Sequence, residues 1–579
     1  MKLVMKTKLL LGAPLLAAAL CLTGQAYAGG IWIQMTNTPG GTYFGHMHLL
    51  TDGTVMSENG SSDYTIGPTW SRLTPDIHGS YVHGTWSTTA SMNYTHEDFA
   101  SQVLPNGKLM VAGGEYGTGG SISELYDPQA NTWTVVPVPA GYLQNGTTST
   151  SPPQNLGFSD AESILLPNGN MLVAPVAPVT SFMTMIYSPG ANSWSAGPST
   201  IWSQDEAAWV KLPDNSILTV DKGGLTAERY IPSENTWVPD LQPPVQLYDS
   251  IGSELGPAFL LPNGKAIFFG STGATAIYTP SGSPALLGSW VAGPTFPNGQ
   301  GMPDAPAAML PNGNILCATA TAPGNGTTFY TPVSFYEYSY LDNNFTQVAA
   351  PTNGTTFPGP CWPTLMLDLP DGTVLFASRD TSLYIYQPTN IVPLAAAQPT
   401  VLSVTKNSDG SLHLTGTVFN GISSGAAYGD DEQVNTDYPL VRFTDGGGNV
   451  RYGRTYNWNV GVATGNKEVS TDCALPAGAS LQDTIHVVAN GIASAGVHFP
   501  LYSGDTVWVD YSYNGLFQLG IPGEPFNTIH TGVQDVPQGG NIIIAGGHLT
   551  SGGDGIINIS KPVRITAWSG TGTASIGPN

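Results

Sequence analysis

Charged side chains are scarce in this sequence, and basic ones are the scarcest. Of 579 residues only 17 are lysine or arginine, against 40 aspartate or glutamate, and the formal net charge is −23 at pH 7. An acidic chain is repelled by phosphate backbones and anionic lipid surfaces, which argues against nucleic acid and such membranes as partners. Cations, neutral polymers and other proteins remain as partner classes.

Cysteine is also rare. Of the 4 cysteines, Cys21 lies in the N-terminal apolar stretch, which leaves Cys317, Cys361 and Cys473. An odd number leaves at least one thiol unpaired, and the sequence alone leaves a Cys317–Cys361 pair open. We expect small buried side chains at these positions. No cysteine or histidine cluster has the spacing of a zinc site.

Long apolar runs are missing beyond residue 28. The first 28 residues contain three lysines, then an apolar stretch, then Ala26-Tyr27-Ala28. This order predicts a signal peptide over residues 1–28 that is cleaved near Ala28. No later run approaches the ~18 residues that a spanning helix needs. We therefore expect a secreted, extracellular or periplasmic protein that does not span a membrane.

Glycine and proline are abundant, at 71 and 47 residues, and many fall in one repeated tetrapeptide. Leu104-Pro105-Asn106-Gly107 lies between two apolar runs, and Asn-Gly in that setting predicts a β-hairpin because both residues tolerate positive φ. The signature occurs seven times, ending at Gly53, Gly107, Gly169, Asn215, Gly264, Gly313 and Gly372. Short strands repeated every ~40–50 residues predict the blades of a β-propeller.

Each hairpin is followed by a tyrosine corner and then a tryptophan strand, as in Tyr126-Asp-Pro128 followed by Asn131-Thr-Trp133. The sixth copy is looser, and we assign Tyr336 and Phe345 to these two positions. These units resemble kelch repeats, and in particular the seven-bladed propeller of the galactose oxidase family. The resemblance implies a seven-bladed kelch-type propeller over residues 29–390.

The two ends of the repeat array predict how the ring closes. The seventh unit stops at Tyr386-Gln387-Pro388 without a tryptophan strand, whereas an orphan tryptophan strand around Trp32 precedes the first hairpin. An open last blade would leave an unpaired edge. We therefore expect the strand near Trp32 to complete the last blade.

Two further segments follow the propeller. Alternating apolar runs with Gly or Asp turns predict an immunoglobulin-like β-sandwich over residues 397–500. Residues 501–579 contain an amphipathic helical pattern at 525–536 and resemble the capping start of a right-handed parallel β-helix. So few coils cannot bury a core alone, so we expect this module to dock on the sandwich or on another molecule. The predicted fold class is all-β: a seven-bladed β-propeller, a β-sandwich and a short β-helix-like C-terminal module.

Carboxylates recur six or seven residues before the hairpin leucine, where the innermost strand of each blade begins. We expect these side chains to meet at the mouth of the central channel, where close carboxylates repel one another unless a cation lies among them. Oxygen ligands favour Ca²⁺. The candidate ligand- or cation-binding residues are Asp98, Asp160, Glu206, Glu254, Asp304 and His46. The alternative is that these acids accept hydrogen bonds from backbone N–H groups and tie the blades together.

The resemblance to the galactose oxidase family also implies a copper–radical centre, which the same positions test. Enzymes of that family place Cys, Tyr and Tyr-His at these strand entries. Here the corresponding residues are Phe44, Asp98 and Trp362-Pro363, which offer no nitrogen or thiolate ligands of the kind that Cu²⁺ prefers. We carry over the fold, expect no copper, and disfavour oxidase activity.

The function predicted from the sequence is a binding or structural role outside the cytoplasm, toward a polysaccharide or a protein partner at a surface, with Ca²⁺ as the candidate cation. The alternative is a carbohydrate-active enzyme at the propeller mouth, a hydrolase or lyase rather than an oxidase. Asp160 with Glu162, or Asp205 with Glu206, could then act as acid and base, which only their separation decides. The sequence assigns no catalytic residue.

Overall fold

The computed structural model describes residues 29–567 except 41, 63–64, 117, 145–156, 222–225, 353, 430–431, 463–464, 466, 500–505 and 546–556. The predicted signal peptide, residues 1–28, lies outside the described residues. Regular structure is almost entirely β-strand. No helix among the described residues is long and apolar enough to cross a membrane.

The strands up to residue 292 are β1 (Ile31–Gln34), β2 (Tyr43–Leu49), β3 (Val55–Ser62), β4 (Thr65–Thr74), β5 (Thr85–Thr88), β6 (Ala100–Val103), β7 (Leu109–Ala112), β8 (Ser123–Asp127), β9 (Thr132–Val136), β10 (Glu162–Leu165), β11 (Met171–Ala174), β12 (Met183–Ser188), β13 (Ser193–Ser199), β14 (Val210–Lys211), β15 (Ile217–Val220), β16 (Ala227–Ile231), β17 (Thr236–Asp240), β18 (Ala258–Leu260), β19 (Ala266–Phe269), β20 (Thr275–Thr279) and β21 (Ser289–Ala292).

The later elements are β22 (Gln300–Gly301), β23 (Ala307–Met309), β24 (Ile315–Thr321), β25 (Ser334–Ser339), β26 (Asn344–Val348), β27 (Leu365–Asp368), β28 (Val374–Ala377), β29 (Leu383–Gln387), β30 (Thr400–Lys406), β31 (Leu412–Thr417), β32 (Gly425–Tyr428), β33 (Glu432–Asn435), β34 (Leu440–Thr444), β35 (Val450–Tyr456), β36 (Val469–Ala474), β37 (Thr484–Ala489), β38 (Ile492–Ala493), β39 (Thr506–Val509), the helix α1 (Ile529–Asp535), β40 (Asn541–Ile544) and β41 (Arg564–Ala567).

Six sheets of four antiparallel strands form the blades of a β-propeller. Five are consecutive in the chain, β2–β5, β6–β9, β10–β13, β14–β17 and β18–β21, and the sixth joins β27–β29 to β1. In that sixth sheet β1 pairs with β29, with Trp32 opposite Tyr386. One blade therefore holds strands from both ends of the array and ties those ends together.

A seventh sheet contains β23–β26 in the same strand order, but it is wider. At the β23 edge it continues into β32 and β33, which come from the chain beyond the propeller. Residues Ala307 and Ala308 of β23 pair with Ala427 and Ala426 of β32. A hairpin from the second half of the chain thus adds its strands to this sheet.

The repeated tetrapeptide forms a tight turn whose conformation explains its sequence. The N–H of Leu104 donates to the Lys108 carbonyl and the N–H of Gly107 donates to the Leu104 carbonyl, 2.7 and 2.8 Å apart. Gly107 has φ +79°, whereas Asn106 does not have positive φ, so only the glycine adopts the conformation that both residues tolerate. The Asn106 side chain instead accepts the Lys108 N–H at 3.0 Å. The third residue of the tetrapeptide is therefore preferably Asn or Asp, whose side chain accepts a hydrogen bond from a nearby backbone N–H.

The tyrosine and tryptophan of each unit are joined by one small network. The Tyr126 hydroxyl donates to Asn131 Oδ1 at 2.9 Å, Asn131 has φ +51°, and the Tyr126 and Trp133 rings lie 5.0 Å apart. In the sixth copy Tyr338 takes this role, since its hydroxyl donates to Asn343 at 2.9 Å. The assignment of Tyr336 was therefore wrong by two residues.

Strands β30, β31 and β34–β38 form a second continuous antiparallel sheet in the order β30-β31-β36-β35-β34-β37-β38, whereas β32 and β33, which lie between them in the chain, belong to the wide sheet. Strand β35 changes partner midway, because residues 450–453 pair with β34 and residues 454–456 pair with β36. Apolar residues of both halves, including Leu414 and Val441, share one buried cluster. Cys473 belongs to that cluster, and Cys317, Cys361 and Cys473 are all buried free thiols, so no Cys317–Cys361 disulfide is formed.

This second sheet packs on the propeller face that carries the hairpin turns. The N–H of Thr455 donates to the Thr51 carbonyl at 3.2 Å, and the N–H of Asn457 donates to the Pro105 carbonyl at 2.6 Å. A Cβ added to Gly53 would lie 2.5 Å from the Tyr452 ring. The glycines of the turns therefore also permit close docking of the second sheet.

The β32–β33 hairpin lies in the centre of the ring. First strands of blades contact each other in the pairs β2 with β27, β6 with β10 and β14 with β18, and β32 and β33 pack against the first strands β6, β10 and β27 and against β23 of the wide sheet. Asn435 of β33 donates to Gln102 Oε1 of β6 at 2.8 Å. Just beyond β33, Asp437 lies 3.4 Å from Lys211 Nζ of β14. The second half of the chain therefore fills the channel from the turn face.

Asp368 is a buried carboxylic acid beneath this hairpin. Neither of its carboxylate oxygens has a hydrogen-bond partner in the described residues, and a Cβ added to Gly425 would lie 3.1 Å from Oδ2. Burial raises the pKa of Asp368 well above its usual value. Folding therefore requires that this group stay protonated, at a cost in stability that grows as the pH rises above the ordinary pKa of ~4.

We therefore expect Asp368→Asn to raise the free energy of unfolding at pH 7 by about 1–3 kcal/mol, since an amide needs no proton to be buried. The gain should vanish as the pH falls to ~4, where the wild-type acid is protonated in both states. Denaturant unfolding at both pH values measures this, with the exposed Glu234→Gln as control. A gain that is equal at the two pH values would contradict the explanation.

The C-terminal segment forms a small unit of its own. Strands β39, β40 and β41 are parallel, and α1 begins after Thr528, whose hydroxyl caps it by accepting the Thr531 N–H at 3.2 Å. Apolar residues of the strands and helix share one buried cluster. Among the described residues, no strand of this unit pairs with a strand outside it. Its docking partner remains a prediction.

Candidate functional site at the propeller mouth

The end of the ring opposite the docked sheet is formed by the loops that precede the first strand of each blade. We call this end the mouth. In five successive loops one non-glycine residue has left-handed backbone, which is rare and strained for such residues. These residues are Asp98, Ser159, Glu206, Ser253 and Asp304, with φ between +46° and +69°. The loops of the mouth thus repeat one constrained conformation, and three of the predicted acids occupy it.

Three carboxylates of the mouth lie together. Asp160, Asp205 and Glu206 each place one carboxylate oxygen within 4.8 Å of those of the other two. Asp160 is buried and the other two are half-buried. Burial, followed by the charges of Glu115 and Asp205, raises the pKa of Asp160 well above its usual value. The structure thus brings together two of the six predicted residues and adds Asp205.

Asp98 belongs to a different, fully buried network. Its Oδ1 accepts a hydrogen bond from Arg379 Nη2 and lies 3.1 Å from His46 Nε2. Burial alone would raise the pKa of Asp98, but Arg379 and His46 hold it below its usual value. On its other side, His46 Nδ1 lies 3.2 Å from Glu58 Oε2, and burial raises the pKa of Glu58 to about 8 despite that contact. Asp98 and His46 are therefore engaged with one another and do not belong to the group of three carboxylates.

Arg379 connects the propeller to the central hairpin. Its Nη2 donates to the Tyr428 hydroxyl at 2.8 Å, and that hydroxyl donates to the Trp362 carbonyl at 2.9 Å. The guanidinium carbon lies 5.5 Å from the ring centres of both Trp362 and Tyr428. Tyr428 is the last residue of β32. The β32–β33 hairpin therefore reaches the mouth, where it helps to hold the buried guanidinium of Arg379.

Glu254 and Asp304 lie at the mouth but outside the three-carboxylate group. A Cβ added to Gly429 would lie 1.9 Å from Asp304 Oδ1, so Asp304 packs against the tip of the central hairpin. Burial comes first among the causes that raise the pKa of the Cys361 thiol, and the charges of Asp304 and Glu254 add to it. Cys361 Sγ lies 3.1 Å from the carbonyl of Pro303, the residue before Asp304, so Asp304 is close to Cys361.

Glu97 and Glu115 are two further half-buried acids of the mouth, and we call them, together with Asp160, Asp205 and Glu206, the acidic floor. The Glu115 N–H donates to the Glu97 carbonyl at 2.6 Å, so the two residues are neighbours in space. Burial, followed by the charge of Asp98, raises the pKa of Glu97 to about 7 and that of Glu115 to about 7. Glu115 follows β7 rather than preceding a first strand, so the count back from the hairpin leucine missed it.

Other acids than the predicted ones accept hydrogen bonds from backbone N–H groups, which was the alternative role considered for the acids of the mouth. Glu124 accepts the N–H groups of Asn93 and Tyr94 at 2.9 and 2.8 Å. Asp249 accepts the N–H groups of Ile251 and Gly252 at 2.7 and 2.8 Å. These acids shape the loops of the mouth, and the sequence count did not select them as site residues.

Four exposed aromatic rings lie on loops of the mouth, and three of these loops also carry acids. Tyr94 precedes Asp98, Tyr116 follows Glu115, and Trp202 precedes Asp205 along the chain. These side chains and Phe182 are between 39% and 52% exposed. Large exposed rings close to convergent polar groups are typical of a ligand site rather than of a core.

The residues at the positions of the copper ligands do not fit copper. Phe44 is buried and packs on Trp86, with ring centres 5.2 Å apart. Asp98 is paired with Arg379, which also lies against Trp362. Among the described residues the group of Asp160, Asp205 and Glu206 is the one set of three or more candidate ligands, and it contains no nitrogen or sulfur. We derive no copper chemistry from this site.

Together the blades, the clasping strand and the mouth define an all-β protein of the β-propeller class. No protein-family model matches the sequence, and no curated protein matches it significantly. Among solved structures, a fungal alcohol oxidase of the AA5 family in complex with copper aligns over 82% of this chain and 99% of its own, at 13% identity and a TM-score of 0.47.

Two further solved structures show how varied such neighbours are. A catalytically inactive virginiamycin B lyase from Staphylococcus aureus, with quinupristin, aligns over 62% of this chain and 98% of its own, at 11% identity and a TM-score of 0.40. The extracellular domain of a hybrid two-component system from B. thetaiotaomicron aligns over 66% of this chain and 44% of its own, at 12% identity and a TM-score of 0.41. Similarity at this level supports no statement about activity.

Proposed function

We propose that this protein is an exported glycan-binding protein whose ligand site is the mouth of the propeller. The proposal is supported by four exposed rings on the loops of the mouth, three of which share a loop with acids of the acidic floor: Tyr94, Tyr116, Phe182 and Trp202. A sugar ring has apolar C–H faces that stack on aromatic rings, and its hydroxyls donate hydrogen bonds to carboxylates. The floor is acidic, so the site favours a neutral polysaccharide over a polyanion.

The opposite face is unsuited to this role because the second sheet docks on its hairpin turns, through contacts such as Asn457 to Pro105 and Thr455 to Thr51. The channel is also filled by the β32–β33 hairpin, so a ligand would approach from the mouth alone. Such a site on loops held by a rigid ring is common among binding proteins.

A glycan array probed with the purified full chain tests the proposal. We expect binding to one or more neutral oligosaccharides, and binding should be lost when the protein is unfolded by heat. Binding to no glycan, together with binding to a protein partner, would overturn the glycan assignment in favour of the surface-partner alternative.

A carbohydrate-active enzyme at the same mouth is the second candidate. It is favoured by Glu97 and Glu115, which are half-buried and have pKa values of about 7. At neutral pH each is partly protonated, as a general acid for glycosidic-bond cleavage needs to be. Incubating the array-positive oligosaccharide with the protein and measuring shorter products tests this. Unchanged oligosaccharide would support binding without catalysis.

For the architecture, we propose a ring of seven blades, with β23–β26 as the sixth blade in chain order. The strand order of the wide sheet supports this, because β32 and β33 extend it beyond a four-stranded unit of the same pattern as the others. The partner change within β35 supports an immunoglobulin-like sandwich over residues 397–500. The parallel order of β39–β41 supports a β-helix-like module in residues 501–579.

A further inference from the structure

We propose that Asp160, Asp205 and Glu206 bind one Ca²⁺ ion at the mouth and that this ion ligates hydroxyl groups of the bound glycan. The second half of the statement rests on the proposed glycan-binding function, whereas the metal site does not. The ligand set differs from the sequence prediction, because Asp205 is included and Asp98, His46, Glu254 and Asp304 are not.

The separation of the oxygens suits one calcium ion. Each Ca²⁺–oxygen bond is about 2.3–2.6 Å long, so two oxygens on one ion lie at most about 5 Å apart. The three carboxylates place one oxygen each within 4.8 Å of the others. A point equidistant from three oxygens 4.8 Å apart lies about 2.8 Å from each, so side-chain shifts of a few tenths of an ångström bring all three to a common ion.

A second observation points to a ligand at this place. Asp160 is 2% exposed, and its Oδ1 is buried without a hydrogen-bond partner in the described residues. An ionised carboxylate in that position is unfavourable unless it is paired or coordinates a metal. A cation bound among the three carboxylates would supply the missing partner.

The chain holds these groups from two adjacent blades. Asp160 lies in the loop before β10, and Asp205 and Glu206 lie in the loop before β14. The backbone at Glu206 is left-handed, with φ +54°. Such a conformation is strained for a non-glycine residue and persists only where the surrounding structure holds it. An ion at this point would tie the two loops together and would add a fixed positive charge to the acidic floor.

The chemistry of the donors selects the ion. All three are carboxylates, and hard oxygen donors without imidazole or thiolate favour Ca²⁺ or Mg²⁺ over zinc and copper. Mg²⁺ demands near-ideal octahedral geometry and gives up its water reluctantly. Ca²⁺ accepts irregular geometry and up to eight oxygens, so open positions remain for sugar hydroxyls.

The metal site is tested by thermal unfolding and titration calorimetry of the chelator-treated full chain. We expect about 1 mM CaCl₂ to raise the Tm of the wild type and of the exposed control Glu234→Gln. Asp160→Asn should bind Ca²⁺ at least about tenfold more weakly, since one anionic ligand is lost. Without Ca²⁺ this variant should melt above the wild type at pH 7, because an amide is buried without the cost of keeping an acid protonated. That higher Tm shows that a lost calcium response is not misfolding.

Three results would overturn the metal site: no response of the wild type to Ca²⁺, an unchanged calcium affinity of Asp160→Asn, or an equal loss of affinity in Glu234→Gln.

The link to the glycan is tested separately by measuring glycan binding with and without EGTA. Loss of binding in EGTA supports the bridging ion. Glycan binding that persists in EGTA contradicts the bridge and leaves the glycan-binding function standing, whereas calcium binding without any glycan binding contradicts that function and leaves the metal site standing.

Discussion

Replacing Arg379 by methionine should lower the free energy of unfolding by about 3–5 kcal/mol, the cost of breaking a buried ion pair from one side. Arg379 is fully buried and is paired with Asp98 and Tyr428. Methionine keeps much of the side-chain volume, so the loss reports mainly on Asp98 and Glu97, which both lose the buried guanidinium as their partner. Denaturant unfolding at pH 7 measures the loss.

The control for this variant is Arg451→Met, which breaks a partly exposed ion pair with Asp445. Such surface pairs contribute about 0–1 kcal/mol. A loss of the same small size in both variants would mean that Arg379 does not hold the centre of the ring together. The methionine variant should also regain stability when Asp98 is replaced by asparagine, since the unpaired charge is then removed.

The second large effect is expected at Trp32. Its ring packs against Phe335, Phe376 and Tyr386, with ring centres 4.9–5.4 Å apart, and its Nε1 donates to the Ala349 carbonyl at 2.6 Å. We expect Trp32→Ala to lower the free energy of unfolding by about 3–5 kcal/mol, because a large buried ring is lost and the clasp between the ends of the ring is weakened.

Trp202→Ala is the matched control, since it removes the same side chain from an exposed loop of the mouth. Its effect on the free energy of unfolding should stay within about 0.5 kcal/mol. If Trp32→Ala were equally mild, the first strand would not be needed to close the ring.

The local units of this fold could be predicted from the sequence because short-range contacts fix them. The hairpin turn needs a left-handed residue at its end, and Gly107 provides it. The tyrosine corner needs an asparagine five residues on, as Tyr126 and Asn131 show. These signals recur in each repeat. In the sixth repeat the pattern is less regular, and the tyrosine corner was assigned to Tyr336 instead of Tyr338.

The centre of the site could not be predicted, because it depends on residues that are distant in the chain. Arg379 contacts Asp98, which is 281 positions away in the chain. Tyr428 lies on the β32–β33 hairpin, which follows the propeller strands in the sequence. No repeat or spacing marks either residue. The count back from the hairpin leucine found Asp160 and Glu206, but it could not tell that Asp98 has its own buried partner.

One comparison of affinities decides whether the mouth of the propeller is the ligand site. Calorimetry with an array-positive oligosaccharide should show Trp202→Ala binding about tenfold more weakly than the wild type, from the loss of one stacking ring. Leu286→Ala, which removes an exposed side chain of an outer loop, should bind with wild-type affinity. Equal affinities for all three proteins would contradict the claim.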